Sequence, residues 1–410
     1  MGAAYSHLNH PYEDPNLTFG QMKEMISRAL SGRLTSTAEK TDGMNIMVTW
    51  DGGIKAARNK TQLKNPISIQ EISEMFEGRE QIRSAFVSAL TDLENAICCL
   101  SETKIDDIFN NPSKRFSNFY FGKRFMSLEV ITVENKNVIS YGKDILIPHC
   151  IRTYDENGTV IAEDREVVND MFETIKESGA DKQDRFQLRP PHRITDLVVP
   201  DFEIEESKYH GKLDEVMSGF GLNDTATTMD YQQAYWNALV VSQSTEVGYV
   251  IPEAVQCALA DRWSGKKIMN INKIRKMIDN ADFLEWMNTF EKTELKRESK
   301  KSVRKIESVF LQLGSVLLKN MKSFLAVNHE ESLKELKETL TSHIDKIQRS
   351  DDKKAKDKLV YELERFESLG GLDSVMATEG ITFKYEDKVY KLTGAFAPVN
   401  QILGIGRYDK

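Results

Sequence analysis

Lys40-Thr41-Asp42-Gly43 is where the chain first offers chemistry: a lysine closing a stretch of apolar alternation, with an acid and a glycine close behind it. A lysine becomes a nucleophile when nearby cations or burial depress its pKa. A glycine lets the backbone turn tightly and a ligand approach closely. The four-residue pattern alone is weak, since average residue usage would place it in about one chain in twenty of this length. Its meaning depends on what the rest of the chain supplies.

Further groups of the right kind follow. Asp51-Gly52-Gly53 is a hairpin signal between expected strands 44–50 and 54–58. Simple antiparallel pairing would carry Arg58 and Lys60 to the end of the sheet that holds Lys40. Two cations there would favour neutral lysine and bind phosphate; the plain alternative is an exposed basic strand end. Glu129 lies inside Phe125-Met126-Ser127-Leu128-Glu129-Val130-Ile131. Either that strand has a solvated face, or the acid needs a partner such as ribose hydroxyls or a metal. Glu379 opens Glu379-Gly380-Ile381-Thr382-Phe383-Lys384, and Lys391 rides on the answering strand, 388–393. Glu39, beside the lysine, is tolerable only if it points away or binds metal.

Several elements must position these residues. Thr18-Phe19-Gly20-Gln21 is a capping box opening a helix with Phe19, Met22, Met25, Ile26 and Leu30 on one face, ended by Gly32. Residues 34–40 form a strand that delivers Lys40. Residues 67–100 are mostly helical, with a core-packing stripe. The aromatic, basic stretch 115–121 reads as a buried strand that could alternatively stack a base. Strands 145–154 and 159–162 flank the hairpin Asp155-Glu156-Asn157-Gly158; His149 and Arg152 on the first have no assigned role. From 209 to 369 the pattern is almost wholly helical, clearest at Ile306, Phe310, Leu313, Leu317 and Leu318. The basic stretches 265–276 and 294–305 there are either a nucleic-acid surface or solvated helix faces.

Composition sets limits. The 410 residues, 40% hydrophobic and 29% charged, describe a folded protein long enough for two domains. A net charge of -8 leaves no global basic field, so polyanion binding must be local. Four cysteines, with Cys98 and Cys99 adjacent, form neither a disulfide framework nor a CxxC metal site, which points to a reducing cytoplasm. No apolar run matches a bilayer, and no signal peptide opens the chain. Met1-Gly2 with Ser6 fits the loose myristoylation pattern, but no second membrane signal accompanies it. No membrane partner is expected.

Taken in order, these motifs resemble the covalent nucleotidyltransferase superfamily of ATP-dependent polynucleotide ligases and GTP-dependent capping enzymes. Lys40-Thr41-Asp42-Gly43 resembles the nucleophile motif, with Glu39, Asp42 and Gly43 beside the nucleotide. Arg58, in Ala57-Arg58-Asn59-Lys60, resembles the basic residue of the next motif. Glu129 resembles the acid that holds the ribose. Glu379 resembles the acid serving the metal, Lys384 a lysine contacting phosphate, and Lys391 the final lysine beside the α-phosphate. The resemblance covers 34–160 and 376–395. It implies ATP, Mg²⁺ or Mn²⁺, and catalytic roles for Lys40, Lys384 and Lys391.

Two departures stand out. Thr393 occupies the place of a second lysine, and the chain ends soon after Lys391, where most relatives continue into an OB-fold domain. The extra mass lies between the third and fourth motifs, closer to RNA-ligase-like and phage-encoded proteins. The expectation is an α+β fold: an antiparallel-sheet, ATP-grasp-like ligase domain (1–200 and 376–410) interrupted by a helical domain (201–375). Its function would be ATP-dependent ligation of nucleic-acid ends, RNA before DNA, with the helical domain as a clamp. A GTP-dependent guanylyltransferase and a non-catalytic binding protein are the alternatives.

Overall fold

The computed structural model describes residues 8–110, 123–134, 138–195, 197–321 and 329–406. The stretch 115–121 and the Met1-Gly2 pattern lie outside them. The described chain is 54% helix and 17% strand, with its strands almost all antiparallel, so the class is α+β.

Among the described residues ten strands form two sheets. They are β1 (Thr35–Lys40), β2 (Met44–Trp50), β3 (Ile54–Ala57), β4 (Ile67–Ser68), β5 (Lys123–Ile131), β6 (Ile145–Tyr154), β7 (Val160–Asp164), β8 (Gln187–Leu188), β9 (Gly380–Tyr385) and β10 (Lys388–Leu392). The larger sheet runs β4-β3-β2-β5-β6-β7, with β8 added in parallel to β6. The smaller runs β1-β9-β10. Both predicted hairpins form. Gly52 (φ +63°) and Gly53 (φ +150°) make the β2–β3 turn, a conformation that side chains resist. At the β6–β7 turn the Asp155 carboxylate accepts the amides of Asn157 and Thr159 at 2.9 and 2.7 Å.

Alternate side chains of β2 and β5 share a face, while burial runs unbroken along β5 from Arg124 to Ile131. Ile46 and Val48 of β2 join Met126, Leu128 and Val130 of β5 on one face of the larger sheet. Helices Glu80–Ile97, Glu102–Phe109 and Glu166–Glu177 seal that face with Phe86, Leu90, Ile108 and Met171. Covering it removes apolar surface from water at about 25 cal/mol per Å². On the smaller sheet Ile381, Phe383 and Tyr385 pack with helices Phe19–Leu30, Phe202–Ser218 and Arg304–Lys319. The capping box forms as expected, Gln21 N–H to Thr18 Oγ1 at 3.1 Å and Thr18 N–H to Gln21 Oε1 at 3.0 Å.

The helices between 201 and 375 do not share one core. Phe202–Ser218 and Arg304–Lys319 belong to the smaller sheet's core. Thr228–Glu246, Glu253–Ser264 and Ala281–Thr293 enclose their own aromatic core around Trp236, Trp263 and Phe290. His329–Arg349 and Lys353–Ser368 pack with Phe396–Gly404. A self-contained helical unit is therefore narrower than 201–375. Amphipathic stripes mark a buried face without naming its partner.

Candidate functional site

A cleft of ≈1410 Å³ opens between the two sheets, lined by Lys40, Arg58, Glu129, His149, Glu379 and Lys391 among others. Ordinary small-ligand sites span about 300–1,000 Å³, so this one has room for more than one substrate. Pairing of β1 with β9 sets Lys40 opposite Gly380, which brings Glu379 alongside. Lys40 Nζ lies 2.7 Å from Glu379 Oε2. Lys391, opposite Thr382 on β10, completes this wall.

The charge around Lys40 differs from the expectation of flanking cations. Burial alone would lower its pKa, but Glu379, Glu129 and Asp42 outweigh burial and hold it above the ordinary value. Lys40 is thus an ammonium among carboxylates. Burial, with repulsion from Asp42 and Glu129, raises the Glu379 carboxyl against the pull of Lys40. Burial and the neighbouring Lys40 charge lower Lys391.

Gly43 and Asp42 serve the protein's own framework. The Gly43 N–H donates to Glu129 Oε1 at 2.8 Å, and a Cβ there would stand 2.6 Å from Glu129 Cγ. The close approach that requires glycine is to a protein carboxylate. Asp42 Oδ2 accepts the amides of Val138 and Ile139 at 2.7 and 3.1 Å, while its own amide donates to Tyr141 Oη at 2.8 Å. Asp42 thereby fastens the segment before β6 over the turn that follows Lys40. Glu39 is buried, lines the cleft, and its amide donates to His192 O at 2.9 Å.

Glu129, 8% exposed, is partnered as its burial demands. Besides Gly43 it accepts the Thr41 hydroxyl and meets His149 Nε2 at 2.9 Å, both at Oε2. Burial would raise its pKa, but His149, Lys40 and Thr41 reverse this and lower it.

The basic residues divide. Arg58 reaches the cleft, but its guanidinium lies 4.8 Å from the Phe86 ring centroid and 5.5 Å from that of Phe76. Lys60 is exposed at the start of helix Lys60–Lys64, beside Gly158 and away from the cleft lining. Lys384 is also exposed, beyond the cleft lining and paired with Thr35 and Val389. Its strand carries it past the site. Thr393 is buried where helix Arg304–Lys319 meets the chain: a Cβ on Gly314 would lie 2.7 Å from Gly394 N. That contact seats the backbone just after Thr393 against the helix. The clusters at Lys266-Lys267 and Lys300-Lys301 lie off the cleft, with Lys266 bonded to Gln233 and Lys301 to Glu298.

Sequence reasoning gave no role to three features. His149 is the extra residue of a β-bulge: Ser127 pairs with Cys150 and Leu128 with Pro148. Pro148 was the available signal, because proline inside a central strand marks a bulge. Residues 192–194 pair with the free edge of β1, Ile194 N–H to Thr37 O at 3.0 Å. Residues 9–14 strap β10, with Lys391 N–H to Asn9 O at 3.0 Å and Asp14 accepting from Lys388 and Tyr390, both at 2.7 Å.

No protein-family model, curated protein or solved structure matches the chain. No helix among the described residues is long and apolar enough to cross a membrane.

Proposed function

We propose that this protein is a ligase-type covalent nucleotidyltransferase that uses ATP to join polynucleotide ends, RNA before DNA. The observation carrying the reading is convergence: Lys40, Glu129, Glu379 and Lys391, from separate stretches of the chain, line one cleft. Four free thiols agree with a cytoplasmic setting.

In the proposed reaction Lys40 first gives up its proton to water, which releases its 2.7 Å pairing with Glu379 and leaves that carboxylate ionised. Lys40 Nζ then attacks the α-phosphorus of ATP. A P–N bond forms as the P–O bond to pyrophosphate breaks. Lys391 offsets charge growing on the α-phosphate, and ionised Glu129 accepts from the ribose. The AMP passes to a 5′-phosphate end, freeing Lys40, and a 3′-hydroxyl displaces it to seal the strand.

Among the described residues no three His, Cys, Asp or Glu side chains are grouped to hold an ion. Mg²⁺ delivered on nucleotide phosphates needs only one or two carboxylates, and Glu379 fits that need. When bound it would neutralise charge on the leaving pyrophosphate.

The test is incubation with α-labelled ATP or GTP and Mg²⁺, beside Lys40→Ala, followed by a denaturing gel. Label from ATP on the wild type alone supports the reading. Label from GTP instead moves it to the capping class, and no label on folded protein freed of AMP leaves a non-catalytic binding protein.

A further inference from the structure

The bulge in β6 aims His149 at Glu129, and both side chains line the cleft. The carboxylate can only accept, so His149 Nε2, at 2.9 Å, carries the proton. In the neutral ring Nδ1 is then an acceptor. Glu129 Oε2 already receives two donors, Thr41 and His149, and Oε1 receives one from Gly43. A carboxylate oxygen takes about two. What remains is one acceptor on Glu129 Oε1 and one on His149 Nδ1, on two residues that line the same cleft.

Acceptors repel phosphate and call for donors. Two in one cleft suit the hydroxyls of a sugar, while the cations Lys40 and Lys391 suit the phosphates. We infer that His149 reads a ribose hydroxyl beside Glu129, making it a specificity residue for ribonucleotides over deoxyribonucleotides. The inference rests on the reading that a nucleotide occupies this cleft.

The experiment compares ATP, 2′-deoxy-ATP and 3′-deoxy-ATP in two assays: labelling of the wild type and His149→Ala, and equilibrium binding in a Lys40→Ala background with and without His149→Ala. With His149 present, ATP should exceed at least one deoxy analogue by about tenfold or more. His149→Ala should reduce that ratio to near one by weakening ATP alone. His149→Asn, which keeps an acceptor near the Nδ1 position, should retain part of the ratio and guards against a folding defect. An unchanged ratio in His149→Ala, or an equal loss with all three nucleotides, overturns the inference. If ATP binds without ever labelling Lys40, the covalent reading fails and the sugar assignment is still decided by the binding ratio. If no nucleotide binds folded protein, both fail.

Discussion

Replacing Gly43 by alanine drives one methyl group against Glu129. Its Cβ would stand 2.6 Å from Glu129 Cγ, and 3.0 Å from both Glu129 Oε1 and Ile131 Cγ1. Glu129 is buried on β5, so its Cγ cannot swing into solvent as the tip of a surface side chain can. Overpacking of this kind costs about 1–3 kcal/mol. Displacing Glu129 also strains the charge-assisted bond from the Gly43 amide, 2.8 Å long, worth about 1.5–3 kcal/mol. The two overlap, so the expected loss is about 2–4 kcal/mol in denaturant unfolding. If half of it also burdens the transition state, labelling of Lys40 slows about ten-fold. Gly211→Ala is the internal comparison: it lies in helix Phe202–Ser218 with nothing within 4 Å of its Cβ, and should stabilise by about 0.5–1 kcal/mol. Wild-type stability in Gly43→Ala would refute the packing of Glu129 against the turn that follows Lys40.

Lys40 and Glu379 should show coupling: Lys40→Ala and Glu379→Gln together should destabilise less than the sum of the two singles, by about 1–3 kcal/mol in unfolding experiments; strict additivity contradicts the ion pair. Because the folded pKa of Lys40 lies above its ordinary 10.5, its contribution to stability is present below 10.5 and lost as pH rises through the folded value. Alkaline titration of stability should thus be steeper in that window for wild type than for Lys40→Met, and identical curves would contradict it. Lys391→Ala should slow labelling at least about ten-fold, while exposed Lys384→Ala should change it less than about three-fold; the reverse order would return Lys384 to the site. Charge reversal at Lys266-Lys267 and Lys300-Lys301 should weaken polynucleotide binding and spare lysine labelling, and unchanged binding would leave the helical unit without a clamp role.

Local signals made much of the fold legible. Asp51-Gly52-Gly53 and Asp155-Glu156-Asn157-Gly158 can turn a chain in few ways, so both hairpins follow from residue type. The helix after Thr18 follows from its capping box and apolar spacing. The candidate site was legible as residues and not as electrostatics. Lys40 meets Glu379 only because β1 pairs with β9 across most of the chain, and no local pattern encodes that register. The expected cations illustrate the gap. The hairpin does return Arg58, yet Arg58 settles over Phe86 and Phe76, and Lys60 turns outward to begin a helix. Gly43 was readable as a point of close approach, though the approaching group is Glu129. His149 was hidden because a one-residue bulge changes where a side chain points, and Pro148 was its only trace.

Covalent attachment of the nucleotide to Lys40, as proposed, can be read directly. Protein incubated with ATP and Mg²⁺, then digested under alkaline conditions that spare phosphoramidates, can be mapped by tandem mass spectrometry. AMP is expected on the peptide containing Lys40, lost on acid treatment or on addition of pyrophosphate. An adduct on any other residue, or none on folded, nucleotide-free protein, would contradict it.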